Sequence, residues 1–209
     1  MNKLPMWLLL LLGGGVLYMV WKKKSVMTEA GQGALDNAAA LAVALPSEAQ
    51  PYADVIRQVA SERGVDPLLI AAIGQQESRW GQALSPRGPG GTGSGGHDRG
   101  LMQISDQTWG DWLAANDWTD PYTNVSKGAE ILASNLSYFG GKGFEGDDLT
   151  HAALAAYNGG PGRVWAAIQN GASPDSVTTG GNYGASVMNY FSQYVASASS
   201  ALGLDTGAA

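Results

Sequence analysis

Cysteine is absent from this 209-residue chain, which excludes disulfides, thiolate catalysis and cysteine-based zinc sites. Histidine is nearly absent: His97 and His151 are the two, and neither has partners at metal-ligand spacing. Basic residues are scarce beyond the N-terminus. Lys3, Lys22, Lys23 and Lys24 are four of the twelve, so the remainder sets eight against all eighteen acidic residues, about −10. That balance argues against a basic face for nucleic acid, and an anionic polymer would have to be gripped by local contacts instead of bulk attraction. No segment alternates apolar and polar residues as a half-buried strand does. No Gly-Lys-Ser/Thr occurs, so there is no P-loop. Gly91, Gly93 and Gly96 spell a dinucleotide fingerprint, but no strand precedes them and no βαβ unit surrounds them, so they read as flexible loop.

What is present begins with one long hydrophobic run. Leu4 to Trp21 is uncharged and Leu-rich, with Trp7, Tyr18 and Trp21 near its ends. As a helix it would span ~27 Å, about one hydrocarbon core. The edge aromatics and the following lysines suit a membrane interface. A cleaved signal peptide carries its charges before the apolar core, not after it, and no small-x-small site follows here. Residues 1–24 are therefore predicted to be a retained single-pass anchor, with the membrane contacted through residues 4–21. The lysine bias puts residues beyond 24 on the cytoplasmic side, while Lys3 and the α-amine pull the other way.

Residues 25–50 are rich in Ala, Gly and small polar side chains and read as a linker, with a weak helix from Ala34 to Leu45. From Pro51 the pattern turns helical. Val55, Ile56 and Val59 form a stripe, and Gly64 suits a helix stop. Asp66-Pro67 is an N-cap with Pro at the first helical position, followed by an apolar run ending near Arg79. Further helices are expected over Trp109–Leu113, from an Asn124 cap to Gly140, from Asp147-Asp148 to Tyr157, over Val164–Asn170, and over Ala185–Ala201 with Asn182 as cap. The predicted fold class is mainly α: one domain over 51–200 and a flexible tail over 201–209. Nothing fixes an oligomeric state.

The chemistry concentrates in three segments: Gln76-Glu77-Ser78-Arg79, Gly100-Leu101-Met102-Gln103-Ile104, and Ala156-Tyr157-Asn158-Gly159-Gly160-Pro161-Gly162. Breaking a glycosidic bond needs a carboxylic acid still protonated near neutral pH. Glu77 is the candidate, because an apolar surround and the negative end of a helix both disfavour its carboxylate. Gln103 offers donor and acceptor for a sugar hydroxyl or N-acetyl group. Tyr157-Asn158 enters Gly159-Gly160, where small residues would let a polymer approach the backbone.

These segments, with Asp120-Pro121, Asn124-Val125, Gly128-Ala129, Tyr183 and Tyr190 in the same order, resemble the soluble lytic transglycosylase (SLT) family, which shares the goose-type lysozyme fold. The resemblance spans roughly residues 51–195. It implies a lysozyme-like helical domain with a substrate cleft, acting on peptidoglycan glycan strands without cofactor or metal. Glu77 would protonate the bond between N-acetylmuramic acid and N-acetylglucosamine. It would then take the proton of the muramyl C6 hydroxyl, closing a 1,6-anhydro ring. Tyr157 would hydrogen-bond Glu77. Gln103 and Asn158 would contact glycan, Met102 would line the cleft, and Ser78 would steady the helix end beside the acid as part of the substrate-binding set.

The loop from Ser85 to Arg99 is more Gly-rich than the family pattern and reads as a lid or an altered saccharide subsite. Two alternatives stay open: a goose-type-lysozyme-like hydrolase, with Asp98 or Asp106 as the second carboxylate, and a non-catalytic murein-binding membrane protein. The Trp109, Trp112 and Trp118 cluster reads as core or as a sugar-stacking platform. A bacteriophage virion or a bacterial envelope machine would each suit a wall-opening enzyme on a minimal anchor.

Overall fold

The structure, a computed structural model, describes residues 27–204. Small residues let its first two helices pack closely. Helices α1 (Glu29–Asp36) and α2 (Ala38–Ala44) bury Ala30, Ala34, Ala40, Leu41 and Ala44. Thr28 caps α1 by accepting from the Gly31 amide at 2.8 Å. Its own amide and hydroxyl donate to Asp66 Oδ2 at 2.9 and 2.7 Å. Gly31 must be glycine, since a Cβ there would lie 2.1 Å from that Asp66 oxygen. The linker expected over 25–50 is thus, from residue 29 onward, a packed part of the domain. Its low hydrophobicity per residue hid two alanine faces that fit against larger helices.

Helix α3 (Ala53–Arg63) ends at Gly64 in the left-handed region, φ 63°, as a glycine stop requires. Helix α4 (Pro67–Ser78) is capped by Asp66, which accepts from the Leu68 amide at 2.9 Å. Leu68 through Ile73 are all fully buried, so α4 is apolar all round and forms the core axis. Each such Leu or Ile contributes about 1.5–3 kcal/mol through burial. A two-stranded antiparallel ribbon follows, β1 (Asp98–Arg99) and β2 (Ile104–Ser105), with Asp98 opposite Ser105 and Arg99 opposite Ile104. Strands of two residues are too short to leave an alternating signature.

Helices α5 (Asp106–Ala115), α6 (Pro121–Gly140), α7 (Gly146–Gly159), α8 (Pro161–Gln169) and α9 (Tyr183–Leu202) complete the fold. Helix α6 starts three residues before the expected Asn124 cap: Asp120 caps it, accepting from the Thr123 amide at 2.8 Å. Helix α9 starts two residues early, and its Asn182 side chain makes no cap bond. It packs on α1, α2, α4 and α7 and runs past the start of the expected tail, of which residues 205–209 lie outside the described residues. Among the described residues no helix is long and apolar enough to cross a membrane. The span predicted over 4–21 lies outside them.

Candidate active site

Glu77 occupies the last turn of α4, and the chain reverses sharply just beyond it. Arg79 and Trp80 both adopt left-handed backbone, φ 50° and 52°, a conformation costly for non-glycine residues. Packing holds it. The Trp80 ring folds back over α4, its Nε1 donates to the Ala71 carbonyl at 3.1 Å, and it stacks on Tyr52 with centroids 5.4 Å apart. Gly74 makes room, since a Cβ there would lie 2.5 Å from the indole. Ser78 is buried, donates to the Leu101 carbonyl at 2.7 Å and accepts from the Gly81 amide at 3.0 Å. Its hydroxyl thus joins the helix end to the turn opposite through bonds internal to the protein.

That turn, Gly100 to Gln103, is held from behind by Asn124, a fully buried residue of α6. Asn124 Oδ1 accepts from the Met102 amide at 2.8 Å, and its Nδ2 donates to the Arg99 carbonyl at 3.1 Å. Gly100, at φ 71°, leaves room for that amide: a Cβ would meet Asn124 Nδ2 at 2.4 Å. The Met102 side chain is fully buried against Gly128, where a Cβ would lie 2.7 Å from Met102 Cε. Met102 therefore fills the core instead of lining the cleft. An unbranched thioether threads the narrow space a glycine opens on α6.

Gln103 is half-buried at φ 48°. Its Nε2 donates to the Gly100 carbonyl at 2.8 Å, and its Oε1 lies against Gly93, where a Cβ would come within 2.2 Å. The Gly-rich loop is thereby folded onto the site as a small hairpin. Ser85 and Thr92 exchange two backbone bonds of 3.1 Å, and the Gly93 amide donates to the Asp98 carbonyl at 3.1 Å. The flexible-loop reading of this segment is revised accordingly.

The partner of the acid is Tyr183, the first residue of α9. Its hydroxyl donates to Glu77 Oε1. Tyr157, predicted for that role, donates instead to the Met102 carbonyl at 2.9 Å. The two phenol rings lie parallel, 4° apart in plane with centroids 6.5 Å apart, so Tyr157 backs Tyr183 and braces the Met102 turn. Asn158 is exposed, and its Oδ1 accepts from the Thr179 amide at 2.7 Å, tying the end of α7 to the segment leading into Tyr183.

Burial is the main force on the Glu77 carboxyl and, with the charge of Asp98, lifts its pKa from an ordinary 4.5 to about 8; the Tyr183 hydrogen bond opposes that rise. Both tyrosines are pushed well above 10, first by burial and then by the charge of Glu77. They stay protonated and act as donors. Among the described residues no cluster of three or more His, Asp or Glu could hold a metal ion.

The chain matches the family profile of the transglycosylase SLT domain over residues 54–178, more than half its length. It belongs to the SLT family. A lysozyme g from Epinephelus coioides is 34% identical over 136 residues, covering 63% of this chain and 68% of that protein. A membrane-bound lytic murein transglycosylase F from Cellvibrio japonicus is 32% identical over 114 residues, 54% of this chain and 21% of that protein. A lysozyme g from Struthio camelus is 31% identical over 118 residues, 54% of this chain and 52% of that protein. The SLT chain thus spans only about a fifth of the transglycosylase F relative.

The SLT domain therefore brings Glu77, Asp98, Gln103, Tyr157 and Tyr183 to one side of the molecule, with Ser78, Met102 and Asn124 as internal supports. Two functional positions escaped the sequence reading. Tyr183 and Asn124 both stood among the residues of the family resemblance, and Asn124 also as a helix cap, but neither was given a role at the site. The Trp109 and Trp112 rings line a separate depression of about 540 Å³ over α5. Lys127, buried on α6, covers them: its ammonium lies 3.8 Å from the Trp109 centroid, 5.6 Å from that of Trp112, and 2.7 Å from Glu130. These ring faces already meet a protein cation, which disfavours the stacking-platform reading.

Proposed function

We propose that this SLT domain is a peptidoglycan lytic transglycosylase that cleaves the β-1,4 bond from N-acetylmuramic acid to N-acetylglucosamine. The single observation that carries the proposal is Glu77: a carboxyl held mostly protonated at neutral pH, partnered by a phenol that donates to one oxygen. With Tyr183 on Oε1, the acidic proton resides on Oε2, free to pass to the glycosidic oxygen as the bond to the muramyl C1 breaks. The resulting carboxylate keeps the Tyr183 bond. It then accepts the proton of the muramyl C6 hydroxyl while that oxygen bonds to C1, which restores the acid and leaves a 1,6-anhydro end. Gln103 and Asn158, at the rim of the site, are the proposed glycan contacts.

The experiment is Glu77→Gln on purified peptidoglycan, with mass spectrometry of released muropeptides. Wild-type protein should release anhydromuramyl products, and Glu77→Gln should bind the polymer but release none. Undiminished release by the variant would refute the assignment.

One observation favours a second reading. Asp98 faces Glu77 closely enough for its charge to raise the Glu77 pKa. A second carboxylate beside the acid can activate water, and two of the relatives are named lysozyme g. Reducing muramyl ends in the product, abolished by Asp98→Asn, would establish this hydrolase instead.

We further propose that residues 4–21 hold the domain to a membrane. With Thr28 bonded to Asp66, the tether between that span and the domain would be residues 22–27, a reach of about 20 Å in place of the longer span a free 25–50 linker would allow. Extraction of full-length protein by detergent but not by high salt would support the anchor. Release by salt alone would refute it.

A further inference from the structure

Asp175 is a buried carboxylate with no part in the proposed proton transfers. It lies in the 3-10 turn Pro174–Val177, between α8 and α9. Its Oδ1 accepts from the Gly184 amide at 2.7 Å and its Oδ2 from the Ala185 amide at 2.9 Å. These are the first free N–H groups of α9 after Tyr183, so Asp175 does the capping that the Asn182 side chain does not. His151 of α7 holds the carboxylate from the other side, with Nε2 at 2.8 Å from Oδ2. Gly184 permits this: a Cβ there would lie 2.6 Å from His151 Cδ2 and 3.1 Å from Asp175 Oδ1.

The same turn also fixes the Tyr183 backbone. The Thr178 hydroxyl donates to the Asp175 carbonyl at 2.9 Å and accepts from the Tyr183 amide at 3.3 Å. The start of α9 is therefore set by one carboxylate that two elements hold, and the residue at that start is the donor to Glu77. A phenol at the end of a long lever reaches a carboxyl 106 residues away in sequence only if its Cα is fixed. A shift of about 1 Å at the helix start would break that bond, since hydrogen bonds weaken steeply with misalignment.

We infer that Asp175, clamped by His151, is a positioning residue for the acid: it seats the first turn of α9 so that Tyr183 meets Glu77. Asp175 touches neither the acid nor the cleft and acts only through Tyr183. The inference rests on the reading of Glu77 as the acid.

The test measures the Glu77 pKa directly, by 13C NMR of carboxyl-labelled glutamate with Glu77→Gln to assign the signal, alongside the pH profile of muropeptide release. The groups facing Glu77 are Asp98 from β1, Tyr157 from α7 and Tyr183 from α9, so Tyr183→Phe is the reference variant. Tyr183→Phe removes the bond that favours the carboxylate and should move the titration upward. Asp175→Asn should move it in the same direction and lower kcat about tenfold with little change in KM. The Asp175→Asn, Tyr183→Phe double variant should titrate like Tyr183→Phe alone. His151→Gln leaves the capping carboxylate in place and should give a smaller shift of the same sign. It keeps the inference testable if Asp175→Asn does not fold. A wild-type Glu77 titration in folded Asp175→Asn or His151→Gln, or additive shifts in the double variant, would overturn the inference. If Glu77→Gln keeps releasing muropeptides while Asp175→Asn moves the titration, the acid assignment fails and the positioning stands.

Discussion

Tyr183 donates its hydroxyl to Glu77 across 106 residues of sequence, joining the first turn of α9 to the last turn of α4. The bond favours the carboxylate, whereas burial and Asp98 favour the neutral acid. The acid thus has opposing controls. Apolar enclosure keeps the proton on at neutral pH, and the phenol keeps that proton from becoming too tightly held to transfer.

The two stacked tyrosines should separate cleanly by mutation. Tyr183→Phe is expected to lower muropeptide release by about 10- to 100-fold, the size of effect that loss of an orienting hydrogen-bond partner has at metal sites, and to raise the alkaline limb of the pH profile. Tyr157→Phe removes the bond to the Met102 carbonyl and should cost about 1 kcal/mol of stability while leaving that limb close to wild type. Release rates across pH 5–9, with thermal melts of each variant, check both.

Glu77 should make the protein less stable as pH rises. Its folded pKa of about 8 lies above the ordinary value of 4.5, so between those values the folded state binds the proton that the unfolded chain has released. Stability therefore falls through that window and levels off above it. Glu77→Gln, which cannot ionise, should match wild type near pH 4.5 and exceed it by about 4–5 kcal/mol by pH 8–9. Denaturant titrations at a series of pH values test the sign. A wild-type curve parallel to that of Glu77→Gln would rule out the raised Glu77 pKa.

The turn that presents Gln103 depends on a side chain the sequence reading had used as a helix cap. Asn124→Ala removes two bonds, to the Met102 amide and the Arg99 carbonyl, and leaves buried backbone groups unpaired. The expected loss is about 2–4 kcal/mol, with KM for glycan rising as Gln103 loses its support. Gly100→Ala should fail similarly, because its Cβ would strike Asn124. Chemical denaturation gives the first quantity and initial rates on solubilised glycan the second.

Local chemistry made much of this legible. Asp66-Pro67 announced the start of α4, Gly64 the end of α3, and the apolar run before Glu77 the enclosure of the acid. What stayed hidden depended on contacts distant in sequence. Nothing near Tyr157 distinguishes a phenol that reaches Glu77 from one that reaches the Met102 carbonyl, because the choice is set by where α9 begins. Where α9 begins is set by Asp175, an acid in a short turn eight residues earlier, and not by Asn182 alongside. The family resemblance implied that Met102 lines the cleft, yet its side chain is fully buried, and Gly128 receives the thioether. Residues 29–44 looked like a tether because alanine carries little hydrophobic signal. Their burial becomes visible only with α9 in place.

That N-terminal pair of helices supplies the last prediction. Thr28 caps α1 and also gives two hydrogen bonds to Asp66, the residue that caps α4. Burial pushes the Asp66 carboxyl up, against the bonds from Thr28 and the α4 amides that pull it down, so removing the Thr28 hydroxyl leaves a buried carboxylate less well satisfied. Thr28→Val keeps the shape and the backbone bond but loses the hydroxyl. It should cost about 1–2 kcal/mol and loosen α1 and α2 before the rest of the domain. Limited proteolysis coupled to hydrogen exchange should then show faster exchange and new cleavage within residues 29–46, with α4 still protected. Muropeptide release by the intact variant should stay near wild type, since the hydroxyl lies at the opposite end of α4 from Glu77. Equal loss of protection in α1 and α4 would mean that the N-terminal helices and the core open together, and that Thr28 is no separate latch.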